Sequence, residues 1–157
     1  MQKITTFLTY NNQAEEAAKF YVSIFKNSRI GKIVRFAAAG PAPEGSVMTV
    51  TFELEGQTFV ALNGGPHFKF TEGVSLFVDC KAQEEVDMLW TQLSAGGEPG
   101  VCGWLKDKFG LSWQIIPSVL VPMLTDADAK RSQRVMHAML QMKKISIKDL
   151  QRAYEGR

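Results

Sequence analysis

The sequence predicts an α+β fold, built from two tandem βαβββ units and a C-terminal helical extension. Three observations support this. Segments that alternate apolar and polar residues predict strands, and apolar residues three and four positions apart predict helices. The same order of strand, helix and further strands occurs over residues 3–63 and again over 73–117. We therefore expect a single domain of residues 1–157, with units at 1–65 and 66–118 and a helical tail at 119–157.

The first unit opens with a β-branched and aromatic segment, which predicts a strand over Ile4–Tyr10. Asn12 and Glu15 have the spacing of a capping box, which predicts the start of a helix. Apolar residues recur at helical intervals after it, so a helix is expected over about 12–26. These residues are Ala14, Ala17, Ala18, Tyr21, Ile24 and Phe25.

A hairpin is predicted to complete the first unit. Residues 47–54 alternate with period two, and Glu55-Gly56 is a tight-turn signal before the returning segment 58–62. Asn63-Gly64-Gly65-Pro66 then predicts a linker between the two units.

The second unit repeats this order. Val74–Val78 is predicted to be its first strand, and a helix is expected over about 82–95, ended by Gly96-Gly97. Residues 103–107 and 111–116 are predicted to form a hairpin around a turn ending at Gly110, and Pro117 closes the last strand. Lys106 and Asp107 are interpreted as turn residues in contact with solvent and as a surface ion pair.

The tail is predicted to be helical. A short helix is expected over 120–124, and the spacing of Thr125 and Asp128 predicts the start of a second helix. Ser146 precedes a third. The second helix carries an apolar stripe that is rich in methionine: Val135, Met136, Met139, Leu140 and Met142.

Composition excludes several classes of protein. The net charge of +2 provides no broad field for nucleic acid, and the basic tail is interpreted as a solvated helix face. No apolar run approaches a membrane span, and Met1-Gln2-Lys3 does not have the pattern of a signal peptide. Cys80 and Cys102 are too few for a disulfide framework and are expected to be free thiols. We therefore predict a cytoplasmic protein that binds neither nucleic acid nor membrane.

Several segments resemble one known family. They are similar to the PhnB-like proteins that carry the 3-demethylubiquinone-9 3-methyltransferase domain, a branch of the vicinal oxygen chelate superfamily with the glyoxalase/bleomycin-resistance fold. The resemblance extends over nearly the whole chain and is most specific from Trp104 to Gln114. The segments that carry it are 12–21, 61–66, 80–87, 102–114 and, in the tail, 134–145.

The resemblance implies a cup-shaped binding site lined by the strands. Metal-using members of the superfamily take His and Glu ligands from the first and last strands of each unit, and these positions fall here on Thr6, Ala61, Ser75 and Gln114. Alanine cannot bind a metal, and neutral hydroxyl and amide groups do not balance a divalent ion. No metal and no cofactor is therefore predicted. His67 and His137 provide no second ligand at metal spacing.

The predicted pocket instead consists of polar groups and an aromatic wall. Thr6, Asn63, Ser75 and Gln114 are the polar candidates, and Trp104 is the wall. Side chains alternate along a strand, so Ser75 and Phe77 are expected on one face, and Gln114 on the face opposite to its neighbours Trp113 and Ile115.

Three functions remain open from the sequence. The chain could be a metal-free protein that binds a small organic molecule, a metal-dependent lyase or dioxygenase or a methyltransferase, or a protein that sequesters a drug-like molecule. A methyl donor usually sits on a glycine-rich turn between a strand and a helix, and the sequence has no such turn. The partners expected are a small-molecule ligand and a second copy of the chain in a homodimer.

Overall fold

The computed structural model describes residues 2–157. The chain divides into two compact units, the first ending at Lys69 and the second spanning Phe70–Arg157. Each unit carries one four-stranded sheet and one helix that follows its first strand. The predicted tandem βαβββ architecture is therefore confirmed. The single-domain assignment stays a prediction.

The first unit contains β1 (Thr6–Tyr10), α1 (Ala14–Ile24), β2 (Arg29–Arg35), β3 (Val47–Leu54) and β4 (Gln57–Asn63). The sheet has the order β1-β4-β3-β2, and β1 runs parallel to β4 while the other neighbours are antiparallel.

Helix α1 covers one face of this sheet. Val50 of β3 pairs with Ala61 of β4, which pairs with Leu8 of β1, and all three side chains are buried. Tyr21 of α1 reaches this face, where its hydroxyl hydrogen-bonds the hydroxyl of Tyr10 at 3.2 Å. The apolar stripe of α1 therefore removes one face of the sheet from water, which is the main stabilising contribution in a unit of this kind.

The predicted turn between β3 and β4 is confirmed. Glu55 and Gly56 have φ values of 48° and 84°, and they connect the paired residues Leu54 and Gln57. Two left-handed residues in succession are typical of the type I′ turn, whose twist matches that of the flanking strands.

The predicted capping box at Asn12 is wrong. Gln13 occupies the N-cap position of α1 and makes no capping bond with its side chain. Instead Asn63, at the end of β4, accepts a hydrogen bond from the Ala14 backbone N–H at 2.9 Å. The Asn63 amide also donates to the Val47 carbonyl at 3.0 Å. A residue from a distant strand thus satisfies the helix N-terminus that the local sequence was expected to cap.

The second unit repeats the plan with shorter strands. It contains β5 (Ser75–Cys80), α2 (Gln83–Ser94), β6 (Glu98–Pro99), β7 (Trp104–Lys106) and β8 (Ser112–Pro117), in the order β5-β8-β7-β6. Strands β5 and β8 are parallel. Helix α2 buries Val86, Leu89 and Leu93.

The hairpin between β7 and β8 is organised by a buried carboxylate. Asp107 is 2% exposed, so the interpretation of Asp107 as a solvated turn residue is wrong. Its carboxylate accepts hydrogen bonds from the backbone N–H groups of Phe109 and Leu111, at 2.8 and 3.1 Å, and from the indole N–H of Trp113 at 2.9 Å. A buried carboxylate is stable only with such partners, and here they fix the shape of the turn.

The tail belongs to the second unit and forms α3 (Leu120–Leu124), α4 (Ala129–Leu140) and α5 (Ile147–Glu155). The prediction that Thr125 starts α4 is wrong. Asp128 caps that helix, and its side chain accepts hydrogen bonds from the N–H groups of Lys130 and Arg131. Ser146 caps α5 as expected. Within residues 2–157, no helix has both the length and the apolar character needed to cross a membrane.

An apolar cluster and hydrogen bonds from one glutamine hold the tail in place. The Gln83 side chain donates to the Ile145 carbonyl at 3.0 Å and accepts from the Ile147 N–H at 2.8 Å. The buried residues of this cluster are Ile116, Leu120, Val135, Ile145 and Leu150.

We predict that Asn63→Ala lowers the free energy of unfolding by about 1–2 kcal/mol, because it removes a helix cap and leaves the Ala14 N–H without its partner. Urea denaturation followed by circular dichroism measures this change. Asn12→Ala is the matched control and should change the same quantity by less than about 0.5 kcal/mol, since the Asn12 side chain caps nothing. Equal losses in both variants would contradict the assignment of the cap.

Candidate functional site

The candidate site is the face of the second sheet opposite to the buried Trp113 and Ile115. Side chains alternate along β8, so Ser112 and Gln114 lie together on this face. Gln114 pairs with Phe77 of β5 on one side and with Trp104 of β7 on the other, while Ser112 pairs with Ser75. We call this surface the polar face and define it by these residues: Ser75, Phe77, Trp104, Ser112 and Gln114.

Two of the predicted site residues are in direct contact. The Gln114 Nε2 donates a hydrogen bond to the Ser75 Oγ at 2.9 Å. Trp104 lies beside Gln114 in the adjacent strand. The structure therefore brings three of the five predicted residues together, and it places Gln114 on the face predicted from its position between Trp113 and Ile115. Within residues 2–157, the Gln114 Oε1 has no hydrogen-bond partner.

Ser112 is a site residue that the sequence analysis missed. It is 1% exposed, and its Oγ has no hydrogen-bond partner in residues 2–157. A buried hydroxyl left in this state costs about 1–3 kcal/mol, so such groups are normally satisfied by a ligand or an ordered water. The signal was present in the sequence, because Ser112 stands two positions before Gln114 and must share its face.

Aromatic surface flanks these polar groups. Phe77 is 53% exposed, and Trp104 is partly buried. Lys106 shares the face of Trp104 on β7, but its ammonium is paired with Glu72. The hydrogen bond of this pair raises the pKa of Lys106 and lowers the pKa of Glu72, so both groups are charged at neutral pH and each balances the other. The polar face thus offers aromatic surface and neutral hydrogen-bonding groups, a combination typical of small-molecule sites.

Thr6 does not lie on the open face of the first sheet, so its predicted placement is wrong. Thr6 alternates with Leu8 and Tyr10, and both of these are buried on the face that α1 covers. The predicted site position on β1 is off by one residue, and a shift of one residue along a strand moves a side chain from one face of the sheet to the other.

The internal repeat explains the error. Phe7 and Phe77 stand at the same distance before Gln13 and Gln83, near the start of each helix. Phe7 pairs with Val60, as Phe77 pairs with Gln114. Val60, rather than the buried Ala61, is therefore the counterpart of Gln114 in the first unit.

Asn63 has a structural role, since its amide links α1 to β3 as described above. It also lines a cavity in the first unit. The structure assigns Asn63 to this cavity and to the helix cap.

The residues present do not fit the divalent metal that the resemblance implies for other members of the superfamily. Ser75 and Gln114 are hydrogen-bonded to each other, and their neighbours on the polar face are aromatic. In residues 2–157, no group of three or more His, Cys, Asp or Glu side chains is arranged to hold a metal ion. His67 and His137 are exposed, and they lie after β4 and on α4.

Cys80 is not placed as a nucleophile. Cys80 is fully buried at the end of β5, and this burial raises the pKa of its thiol to about 12. The thiolate is the reactive form, so Cys80 is protonated and inert at neutral pH. Cys102 precedes β7 in a left-handed conformation with φ 56°, and its backbone N–H donates to the Met142 carbonyl at 2.8 Å.

Comparison with known proteins gives one family. A sequence model described as 3-demethylubiquinone-9 3-methyltransferase matches residues 2–116. The helical tail lies beyond these residues, so the resemblance stated for 134–145 is not part of the match. No curated protein matches the chain.

A solved structure agrees with this assignment, and others are similar to the chain. A PhnB protein from Bacillus cereus is 41% identical, with a TM-score of 0.67, over 74% of this chain and 99% of its own. A protein from Pseudomonas aeruginosa is 18% identical, with a TM-score of 0.61, over 74% of this chain and 98% of its own, and shows the fold alone. A glyoxalase/bleomycin resistance protein from Albidiferax ferrireducens is 17% identical, with a TM-score of 0.46, over 71% of this chain and 95% of its own.

We predict that Cys80 resists thiol reagents in the folded protein. In a Cys102→Ser variant, where Cys80 is the remaining thiol, labelling at about pH 8 should be roughly 100-fold slower than in the urea-unfolded protein, because burial keeps the thiol protonated and covered. The release of a chromophoric thiolate measures both rates. Similar rates in the folded and unfolded protein would contradict the burial of Cys80.

Proposed function

The chain belongs to the 3-demethylubiquinone-9 3-methyltransferase family, and from this membership we propose that it binds a small organic molecule on the polar face without a metal ion. The observation that carries the proposal is the buried Ser112 Oγ, which has no hydrogen-bond partner among residues 2–157 and lies beside the hydrogen-bonded Ser75 and Gln114. A ligand that hydrogen-bonds Ser112 and the Gln114 Oε1 would satisfy both groups.

The chemistry of the face suits an uncharged, planar ligand. Phe77 and Trp104 provide surface for stacking, Gln114 Oε1 accepts a hydrogen bond, and the Ser112 hydroxyl donates or accepts one. Lys106, which follows Trp104 two positions later on β7, is already paired with Glu72. The family description names a demethylated ubiquinone, whose ring carries carbonyl and hydroxyl groups, and a ring of this kind matches these side chains.

Methyl transfer is a weaker alternative for this chain. The turn from β1 to α1 is Asn11-Asn12-Gln13 and the turn from β5 to α2 is Lys81-Ala82, so neither contains glycine. A glycine-rich turn is what usually lets a strand-to-helix connection approach a nucleotide-like donor. A metal-dependent lyase or dioxygenase is weaker still, because the donor set does not fit a metal.

Sequestration of a drug-like molecule uses the same face and differs only in outcome. A sequestering protein returns its ligand unchanged, whereas an enzyme returns a product. Incubation of the protein with its identified ligand, followed by mass analysis of the released molecule, separates the two.

We further propose that the chain acts as a cytoplasmic homodimer. Met136 is 42% and Leu140 is 56% exposed, and the two lie one turn apart on α4. Met139 and Met142, which were expected to join this surface, pack against the tail cluster instead. Exposed apolar side chains of this kind favour contact with a second copy. Two cysteines without a disulfide are consistent with a reducing compartment.

We predict that the purified protein carries a small molecule that denaturation releases. Native mass spectrometry should show a complex heavier than the polypeptide, and Gln114→Leu should lose most of the added mass because it removes the free acceptor. Lys148→Gln, an exposed change on α5, is the control and should retain the ligand. Retention by Gln114→Leu, or stoichiometric Zn, Mn, Fe or Ni held by the residues of the polar face, would contradict the proposal.

We predict that light scattering at micromolar concentration gives twice the chain mass of 17.5 kDa. The double variant Met136→Glu, Leu140→Glu should reduce the measured mass to that of one chain, because it places charge in the proposed contact. Lys148→Glu tests whether negative charge elsewhere on the tail is enough to dissociate the dimer, and this variant should remain a dimer. A wild-type mass near 17.5 kDa would overturn the proposal.

A further inference from the structure

A ligand-sized space lies within the first unit. It is a half-enclosed cavity of about 740 Å³, which is within the range of small-molecule pockets. Its apolar walls include Phe36, Met48, Leu62 and Phe68. The two phenylalanines belong to different segments, one following β2 and the other following β4.

Local backbone features hold both aromatic walls. Phe36 donates its N–H to the Ser46 carbonyl at 2.9 Å and accepts from the Gly45 N–H at 2.9 Å, which closes the loop between β2 and β3. Phe68 lies against Gly64, where an added Cβ would stand 3.1 Å from the ring and 2.7 Å from Thr9 Cγ2. Glycine at this position therefore lets the Phe68 ring pack close to the sheet.

Free amide groups form the polar rim of the cavity. Asn11 and Asn12 line it, and within residues 2–157 neither side chain has a hydrogen-bond partner in the protein. Each amide presents a donor and an acceptor side by side. Asn63 also lines the cavity, but its amide is already bonded to Ala14 and Val47.

The cavity carries little net charge. Glu15 is the one ionisable residue among the described residues that line it, and it forms an ion pair with Lys19 at 2.8 Å. The hydrogen bond from Lys19 lowers the pKa of Glu15, with a smaller contribution from the charge of Arg35. The carboxylate is therefore ionised and locally balanced, so the cavity favours neither a strong cation nor an anion.

We propose that this cavity binds an uncharged, planar heteroaromatic molecule with a lactam-type edge, in which an N–H and a C=O stand next to each other. The ring contacts Phe36 and Phe68, and the edge pairs with the side-chain amide of Asn12. An amide and a lactam are complementary, since each donates one hydrogen bond and accepts one. The assignment does not depend on the function proposed for the polar face.

The test uses two matched probes, 2-quinolinone and its N-methyl derivative, which keeps the ring and the carbonyl but lacks the donor. Binding is followed by chemical shifts of the backbone amides in the isotope-labelled protein. We expect 2-quinolinone to shift residues of the cavity and to bind about three- to tenfold more tightly than the N-methyl compound. Asn12→Leu should remove this preference, while Gln13→Leu, a neighbour that does not line the cavity, should preserve it.

Phe68→Ala and Gln114→Leu locate the probe. Phe68→Ala should weaken the binding of both compounds by the same factor, since it removes an aromatic wall. Gln114→Leu should change the affinity of neither compound. Equal binding of the two compounds, a preference that survives Asn12→Leu, or shifts confined to the polar face would overturn the proposal. Because Gln114→Leu is neutral here and disruptive on the polar face, failure of one proposal is distinguishable from failure of the other.

Discussion

In each unit of this protein the helix that follows the first strand, α1 or α2, packs on one face of a four-stranded sheet and buries that face. The alternation of side chains along each strand then decides which residues are buried under the helix and which lie on the opposite face. In the first unit Leu8, Val50 and Ala61 fall beneath α1; in the second, Trp113 and Ile115 fall on the buried face of β8. The opposite faces carry what remains, including exposed Phe7 and Phe77. Exposed apolar side chains on such a face are what a bound ligand or another chain would cover.

Buried polar groups fix the ends and turns of these sheets. Asn63 satisfies the first N–H of α1, and Asp107 satisfies two backbone N–H groups and one indole N–H in a turn. Both side chains would be costly to bury alone, and both are stable because the neighbouring backbone supplies partners. Ser112 differs from them, since it is equally buried and its hydroxyl finds no partner in residues 2–157. The contrast separates polar residues that complete the fold from one whose hydroxyl is left without a partner in residues 2–157.

The sequence predicted the features that depend on periodicity and turn chemistry. The helices, the Glu55-Gly56 turn, and the shared face of Ser75 and Gln114 follow from spacing alone, and the structure contains all of them. The features it missed depend on contacts between distant segments. Asn63, and not the expected Asn12, accepts the hydrogen bond from the first N–H of α1. Asn63 is far from α1 in the sequence, so no local pattern could predict this contact. Thr6 was misplaced because every residue of β1 is apolar or threonine, so the segment does not reveal which face is buried.

The polar face also shows how a family can keep its scaffold while changing its chemistry. The resemblance places metal ligands on the first and last strands of a unit, where this chain has Ser75 and Gln114. A hydroxyl and an amide satisfy each other with one hydrogen bond of 2.9 Å and need no ion between them. Two ionisable ligands in that place would repel each other or require a cation, so a metal would stabilise them. The neutral pair removes this requirement, and the same strands can still present aromatic surface. The metal-free binding proposed for this face therefore rests on the geometry of the sheet and its aromatic side chains, and not on ionisable ligands.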